Sequence, residues 1–197
     1  MLDDVLLHRV EANDVVTIGN FKVEFIHASH SLVECFSLAI HTPVGTIIHT
    51  GDYKIDDTPV IGKPYDLKTL GRIGDDGVLA LLCDSTNATV PGRTPSEMAV
   101  IPAFEEIFEE TEGRLIISTF SSSLHRLQIV FDVAHQFGRK VCVIGRSMQK
   151  NVEIADEQGL LKIPHGTMID LSTSRALDDD EICYLVTGSQ GEMRAAL

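Results

Sequence analysis

The chain has 197 residues, of which 44% are hydrophobic, and a formal net charge of −13. That is enough apolar material for a buried core in one large or two small domains. No apolar run reaches the roughly 20 residues of a membrane span, and the acidic balance argues against a general nucleic-acid binder.

The N-terminal "MLDDVLLHRV" carries acids where a secretory signal would carry bases, so no signal peptide is read. "FKVEFIHA" alternates apolar and polar residues as a strand does. "CFSLAI" and "TIIHT" are two more strands, and the "HTPVG" between them suits a hairpin. "GVLALLC" (77–83) is a continuous apolar run and reads as a strand buried on both faces. Up to about residue 92 the pattern is strands and tight turns.

From about residue 95 the period changes. "SEMAVIPAFEEIFEETEG" has apolar residues at helical spacing, with Ser96 as N-cap, Gly113 past the end, and Pro102 early in the helix or at a break. Next come a strand "RLIISTF", a helix "SSLHRLQIVFDVAHQFG" ending at Gly138, and a strand "KVCVIG". A helix "SMQKNVEIADEQG" opened by Ser147 and a strand "EICYLVTG" follow. Alternating strand and helix is the signature of a parallel α/β sheet. The chain begins and ends abruptly, which reads as an interior fragment. Cys83, Cys142 and Cys183 lie in apolar, strand-like runs, and none of the four cysteines forms a CxxC pair. They read as buried reduced thiols of a cytoplasmic protein.

Several strand ends carry reactive side chains. His30 follows the first clear strand and Asp52 follows the hairpin. Imidazole and carboxylate are zinc donors, and a carboxylate can bridge two metals. By spacing alone, a turn histidine and a turn cap are the commoner reading. Asp84, directly after 77–83, could orient a water or a ligand histidine, or form an Asx-turn. His27 and His49 read as facing the opposite strand face or the core, and His135 as helix surface. Ser121, His125, Arg146 and Ser147 follow strands on one expected sheet edge, where ligands of α/β sheets bind. Ser189 and Gln190 lie in the glycine loop "GSQGE", a candidate anion nest. All six are candidates for touching phosphate, although helix capping explains the serines equally well. Residues 94–113 carry six acids and no Lys or Arg, whereas 114–150 carry six bases against Asp132 alone. The second stretch is either a locally basic surface for a polyanion or a solvated helix face.

Taken together, "TPVGTIIHTGDYKID", "CDSTNA", "GRLIISTFSSSLHR", "NVEIA" and "TGSQGE" resemble, in order and spacing, the ribonuclease J family. This is the bacterial and archaeal β-CASP branch of the metallo-β-lactamase superfamily. The resemblance implies an α/β chain made of two parts. Residues 1–92 would be part of an αββα metallo-β-lactamase domain, and residues 93–197 the start of a Rossmann-like β-CASP domain. It implies His30 as a zinc ligand, Asp52 as the bridging, catalytic carboxylate and Asp84 as the first β-CASP acid. It also implies RNA as substrate, cut endonucleolytically and from the 5′ end in RNA processing and decay, with two zinc ions. No membrane is implied; a homo-oligomer or a ribonuclease partner subunit is. The family's HxHxDH motif is absent from this sequence, as are its later β-CASP histidines. The chain alone is therefore expected to bind zinc poorly and to be inactive. The alternatives are a noncatalytic RNA-binding or assembly module, or a hydrolase of a small substrate on the same fold.

Overall fold

The computed structural model describes residues 6–188, and within it the chain divides into two compact units. The first comprises residues up to His30, Glu34–Asp57 and Lys63–Thr94; the second comprises Ser31–Val33, Thr58–Gly62 and the chain from Pro95 onward.

The first unit is built on a five-stranded sheet in sequential order. Its strands are β1 (Val15–Ile18), β2 (Phe21–Ala28), β3 (Cys35–Thr42), β4 (Gly45–His49) and β5 (Ala80–Leu82). Strands β1 to β4 are an antiparallel meander, and β5 joins β4 in parallel, pairing Ile47 with Ala80 and His49 with Leu82. The β3–β4 connection is the expected tight hairpin, Thr42 opposite Gly45 across Pro43 and Val44.

Between β4 and β5 lies α1 (Leu67–Asp76), a helix that the sequence pattern did not disclose. Gly71 and Gly74 each cost a helix about 1 kcal/mol relative to alanine. Asp66 offsets part of that by accepting the Thr69 N–H at 3.0 Å, and Ile73 and Leu70 pack against Ile26, Ala39 and Ile48.

The reading of 77–83 as doubly buried fails. β5 is an edge strand, and Leu79, Leu81 and Leu82 are 60%, 61% and 51% exposed. The apolar run marks a strand whose faces no described layer covers. Cys83 is exposed with it, whereas Cys142 and Cys183 are buried as expected.

The second unit carries a four-stranded, fully parallel sheet in the order β6 (Leu115–Ser118), β9 (Ile182–Val186), β7 (Lys140–Val143), β8 (Met168–Ile169). A 3₁₀ turn at Glu97–Val100 leads into α2 (Ile101–Glu110), so Pro102 sits in the helix's first turn. Ser96 caps the 3₁₀ turn by accepting the Met98 N–H. The central helix α3 (Leu124–Gln136) buries Leu127, Ile129, Val130, Phe131 and Val133 in one cluster with Val141, Cys183 and Leu185. Gly138 follows it in the left-handed region at φ 72°, which glycine adopts without steric cost. α4 (Arg146–Glu157) is capped by Gly145, so Ser147 lies inside its first turn and does not open it. The short α5 (Leu171–Ser174) precedes β9.

Candidate functional site

Two sequence-predicted acids, Asp52 and Asp84, stand just past the ends of β4 and β5, and His30 stands two residues past β2. Gly51, at φ 61°, turns the chain directly after β4. A Cβ there would stand 3.1 Å from the Phe36 carbonyl oxygen, so the turn favours glycine. Its N–H donates to His49 Nδ1 at 3.1 Å. His49 is exposed and holds the turn, a role that neither the core nor the opposite strand face would have given it. Asp52 follows, exposed and without a hydrogen bond to a described residue. It therefore does not cap the turn, and its carboxylate is open to a ligand.

Asp84 stands two residues past β5. Its Oδ1 accepts the Thr86 N–H at 2.9 Å, the Asx-turn that the sequence allowed. Its carboxyl is held below the ordinary carboxylate value, first by the Thr86 backbone N–H and then by the Thr86 hydroxyl. The Tyr53 N–H and the His30 imidazole act in the same direction. Asp84 is thus drawn to His30 and to the residue next to Asp52. Asp52 in turn raises the Cys35 thiol, after the larger effect of that thiol's burial. Tyr53 lies over Tyr65 with ring centroids 5.6 Å apart, beside an apolar cavity of about 330 Å³ that Ile48, Leu81 and Cys83 also line.

The donor chemistry of His30 and Asp52 suits zinc, but the number of donors does not. Zinc takes at least three protein ligands. Among the described residues no group of three or more His, Cys, Asp or Glu is placed to hold a metal ion. The described residues alone do not make a complete metal site.

The phosphate candidates lie in the second unit. Ser121 follows β6, and Arg146 and Ser147 follow β7. All strands of this sheet are parallel, so these residues share the carboxyl edge. The Ser118 hydroxyl at the end of β6 is buried with no partner among the described residues. His125 is 4% exposed, and its Nδ1 accepts the Ile61 N–H at 3.1 Å. It lies inside this unit and is not presented to a ligand. Ser189 and Gln190 fall outside the described residues.

Four of the six bases of the basic stretch are engaged, two of them by carboxylates. Arg114 meets Asp179 at 2.6 Å, Arg126 meets Glu97 at 3.1 Å, and Lys140 donates to the Gly166 carbonyl. Arg139 is buried, donating to the Gly113 and Thr111 carbonyls. Arg146 and Lys150, exposed on the first turns of α4, make no ion pair with a described residue. A cavity of about 690 Å³ on the same helix is lined by Glu153, Asp156, Glu157 and Asp170, which repel a polyanion. His135 is on the helix surface as expected, bonded to the Thr167 hydroxyl.

Residues 112–197 match the family described as "Ribonuclease J, beta-CASP domain". The chain is 46% identical over its whole length to a ribonuclease J of Synechocystis and 46% identical over 95% of its length to one of Helicobacter pylori. The chain belongs to the ribonuclease J family. It spans 31% and 27% of those two relatives, about a third or less of the length of each. A solved structure described as a protein of unknown function from Enterococcus faecalis aligns with 94% of the chain at a TM-score of 0.63 and 16% identity, covering 46% of that chain. That likeness speaks to fold alone, and with the family match it supports the metallo-β-lactamase and β-CASP architecture. In this ribonuclease J segment the sequence reasoning missed His49, Thr50 and Ser37. No spacing signal marks Ser37 and Thr50, because Ser37 bonds Thr50 and Tyr65 and Thr50 bonds Asp84 from distant parts of the chain, and His49 is marked only by the turn that follows it.

Proposed function

We propose that the whole protein is a metal-dependent ribonuclease that cleaves RNA phosphodiesters, internally and from the 5′ end, in RNA processing and decay. The observation that carries this reading is that Asp52 and Asp84 follow the ends of the adjacent parallel strands β4 and β5, with Asp52 exposed and the His30 imidazole, past β2, acting on Asp84. The proposed metal is zinc, as two ions, with His30 and Asp52 as two of its donors and the rest supplied from outside the described residues. The carboxyl edge of the second sheet, with Ser121, Arg146 and Ser147, is proposed to meet RNA phosphates. A homo-oligomer or a ribonuclease partner subunit belongs to the same proposal.

The test is RNA hydrolysis by the whole protein and by its Asp52→Asn variant, with zinc content measured on both. Loss of cleavage and of bound zinc with RNA affinity retained is expected. Undiminished cleavage by the variant overturns the assignment. The short donor set favours a second reading for this chain in isolation, a noncatalytic RNA-binding or assembly module. Tight stoichiometric zinc with turnover in the isolated chain would exclude it.

A further inference from the structure

Thr50 stands between the two acids, and its side chain is used in full. It is 6% exposed. Its hydroxyl oxygen accepts the backbone N–H of Asp84 at 2.9 Å. The same hydroxyl donates its proton to the Gly51 carbonyl at 2.8 Å. The Gly51 carbonyl belongs to the peptide that leads into Asp52. The peptide carrying Asp52 and the peptide carrying Asp84 therefore hang from one oxygen atom. The Thr50 backbone completes the fixture: its N–H donates to the Leu82 carbonyl at 3.0 Å, and its own carbonyl accepts the Ser37 hydroxyl at 2.6 Å. Ser37, wholly buried, shares a 2.5 Å hydrogen bond with the Tyr65 hydroxyl.

We infer that Thr50 is the positioning residue that fixes the Asp52 turn against Asp84, an assignment that rests on the functional reading above. Ladder hydrogen bonds hold β4 to β5 only as far as their ends. Both acids lie beyond the last paired residues, His49 and Leu82. Without the hydroxyl the Asp84 N–H loses its acceptor, and the Gly51–Asp52 peptide is free to rotate about a glycine in the left-handed region. Small displacements of reacting groups are costly: about 1 Å can lower a rate by roughly 10²-fold. The Thr50 hydroxyl acts through the two aspartates and needs no contact with RNA.

The experiment uses the whole protein and four variants, with kcat and KM for RNA hydrolysis, melting temperature and hydrogen exchange at the Asp84 amide. Thr50→Val keeps the shape and removes the hydroxyl, and should lower kcat by roughly 10–100-fold with KM within about threefold. Its Asp84 amide should exchange faster while the amides of β3 and β4 are unchanged. Thr50→Ser restores the hydroxyl and should recover kcat. Tyr65→Phe breaks the same buried network at its far end without touching Asp84; it should lower the melting temperature but leave kcat nearly intact. Equal kcat for Thr50→Val and wild type, or equal losses in Thr50→Val and Tyr65→Phe, overturns the inference and reduces Thr50 to scaffold. If Thr50→Val does not fold, failure of Thr50→Ser to keep kcat despite a wild-type melting temperature overturns it too. Asp52→Asn separates the two levels: if it stays active, the site assignment fails; if it is dead while Thr50→Val is unimpaired, only the Thr50 inference fails.

Discussion

Replacing both Arg146 and Lys150 by alanine tests whether the carboxyl edge of the parallel sheet meets RNA. The two cations lie four residues apart at the start of α4, on one face, and are the members of the basic stretch without a described partner. Each phosphate neutralised on a single strand contributes about 0.7 to the slope of log affinity against log salt. Losing two such contacts should therefore flatten the slope by about 1.4. Between 50 and 200 mM salt, the wild-type protein should then lose about sevenfold more affinity than the double variant. The assay is equilibrium binding of a single-stranded RNA to the whole protein, made cleavage-deficient by Asp52→Asn, across that salt range. Arg114→Ala is the control, because Arg114 is already matched by Asp179. Parallel slopes for the double variant and wild type would refute the placement of RNA on this edge, as would an equal flattening by Arg114→Ala.

Three further outcomes follow from the described residues. Phe131, wholly buried in the α3 cluster, should cost about 3–5 kcal/mol when truncated to alanine, read as a shift in the denaturant midpoint. Alkylation of the native protein near pH 8 should modify Cys83 first, because it is exposed; Cys183 should resist, since burial pushes its thiol up to about 12. Peptide mapping of the labelled protein reads this directly. Asp170 caps α5, and hydrogen bonds, first from the Ser172 hydroxyl and then from the Thr173 N–H, lower its carboxyl from 3.8 to about 2. Its contribution to stability is present above the ordinary carboxylate value and is lost as pH falls through about 2. Asp170→Asn should therefore lower stability at neutral pH, flatten the acid limb in that window, and converge with wild type as pH falls towards 2.

What could be read in the sequence was whatever short-range chemistry decides. Pro43, Val44 and Gly45 announce their hairpin, Ser96 its cap and Gly138 the end of α3. Asp52 and Asp84 were visible as acids just past apolar runs. The misses have the opposite cause. Ser147 looked like a cap until Gly145, at φ 107°, took that position. The run at 77–83 signals apolar surface and does not say whether a layer covers it. The basic stretch looked free because its neutralising partners are distant: Asp179 lies 65 residues from Arg114 and Glu97 lies 29 from Arg126. The Thr50 network is invisible for the same reason, as Ser37, Thr50, Tyr65 and Asp84 have no common period.

The two units are interleaved along the chain: residues 31–33 and 58–62 belong with the second, although the first surrounds them in sequence. Val33, Val60 and Ile61 pack against the cluster built on α3, and the Ile61 N–H waits for a histidine 64 residues downstream. At a synthesis rate of 5–20 residues per second, that wait is roughly 3–13 s on the ribosome. During that interval the early meander must form with two of its connecting segments still unplaced. The first unit's sheet is complete in sequence before α3 is made, but these two connecting segments are placed only with the second unit. A cut at Thr94 would not yield a self-sufficient second half, because three of its core side chains would leave with the first.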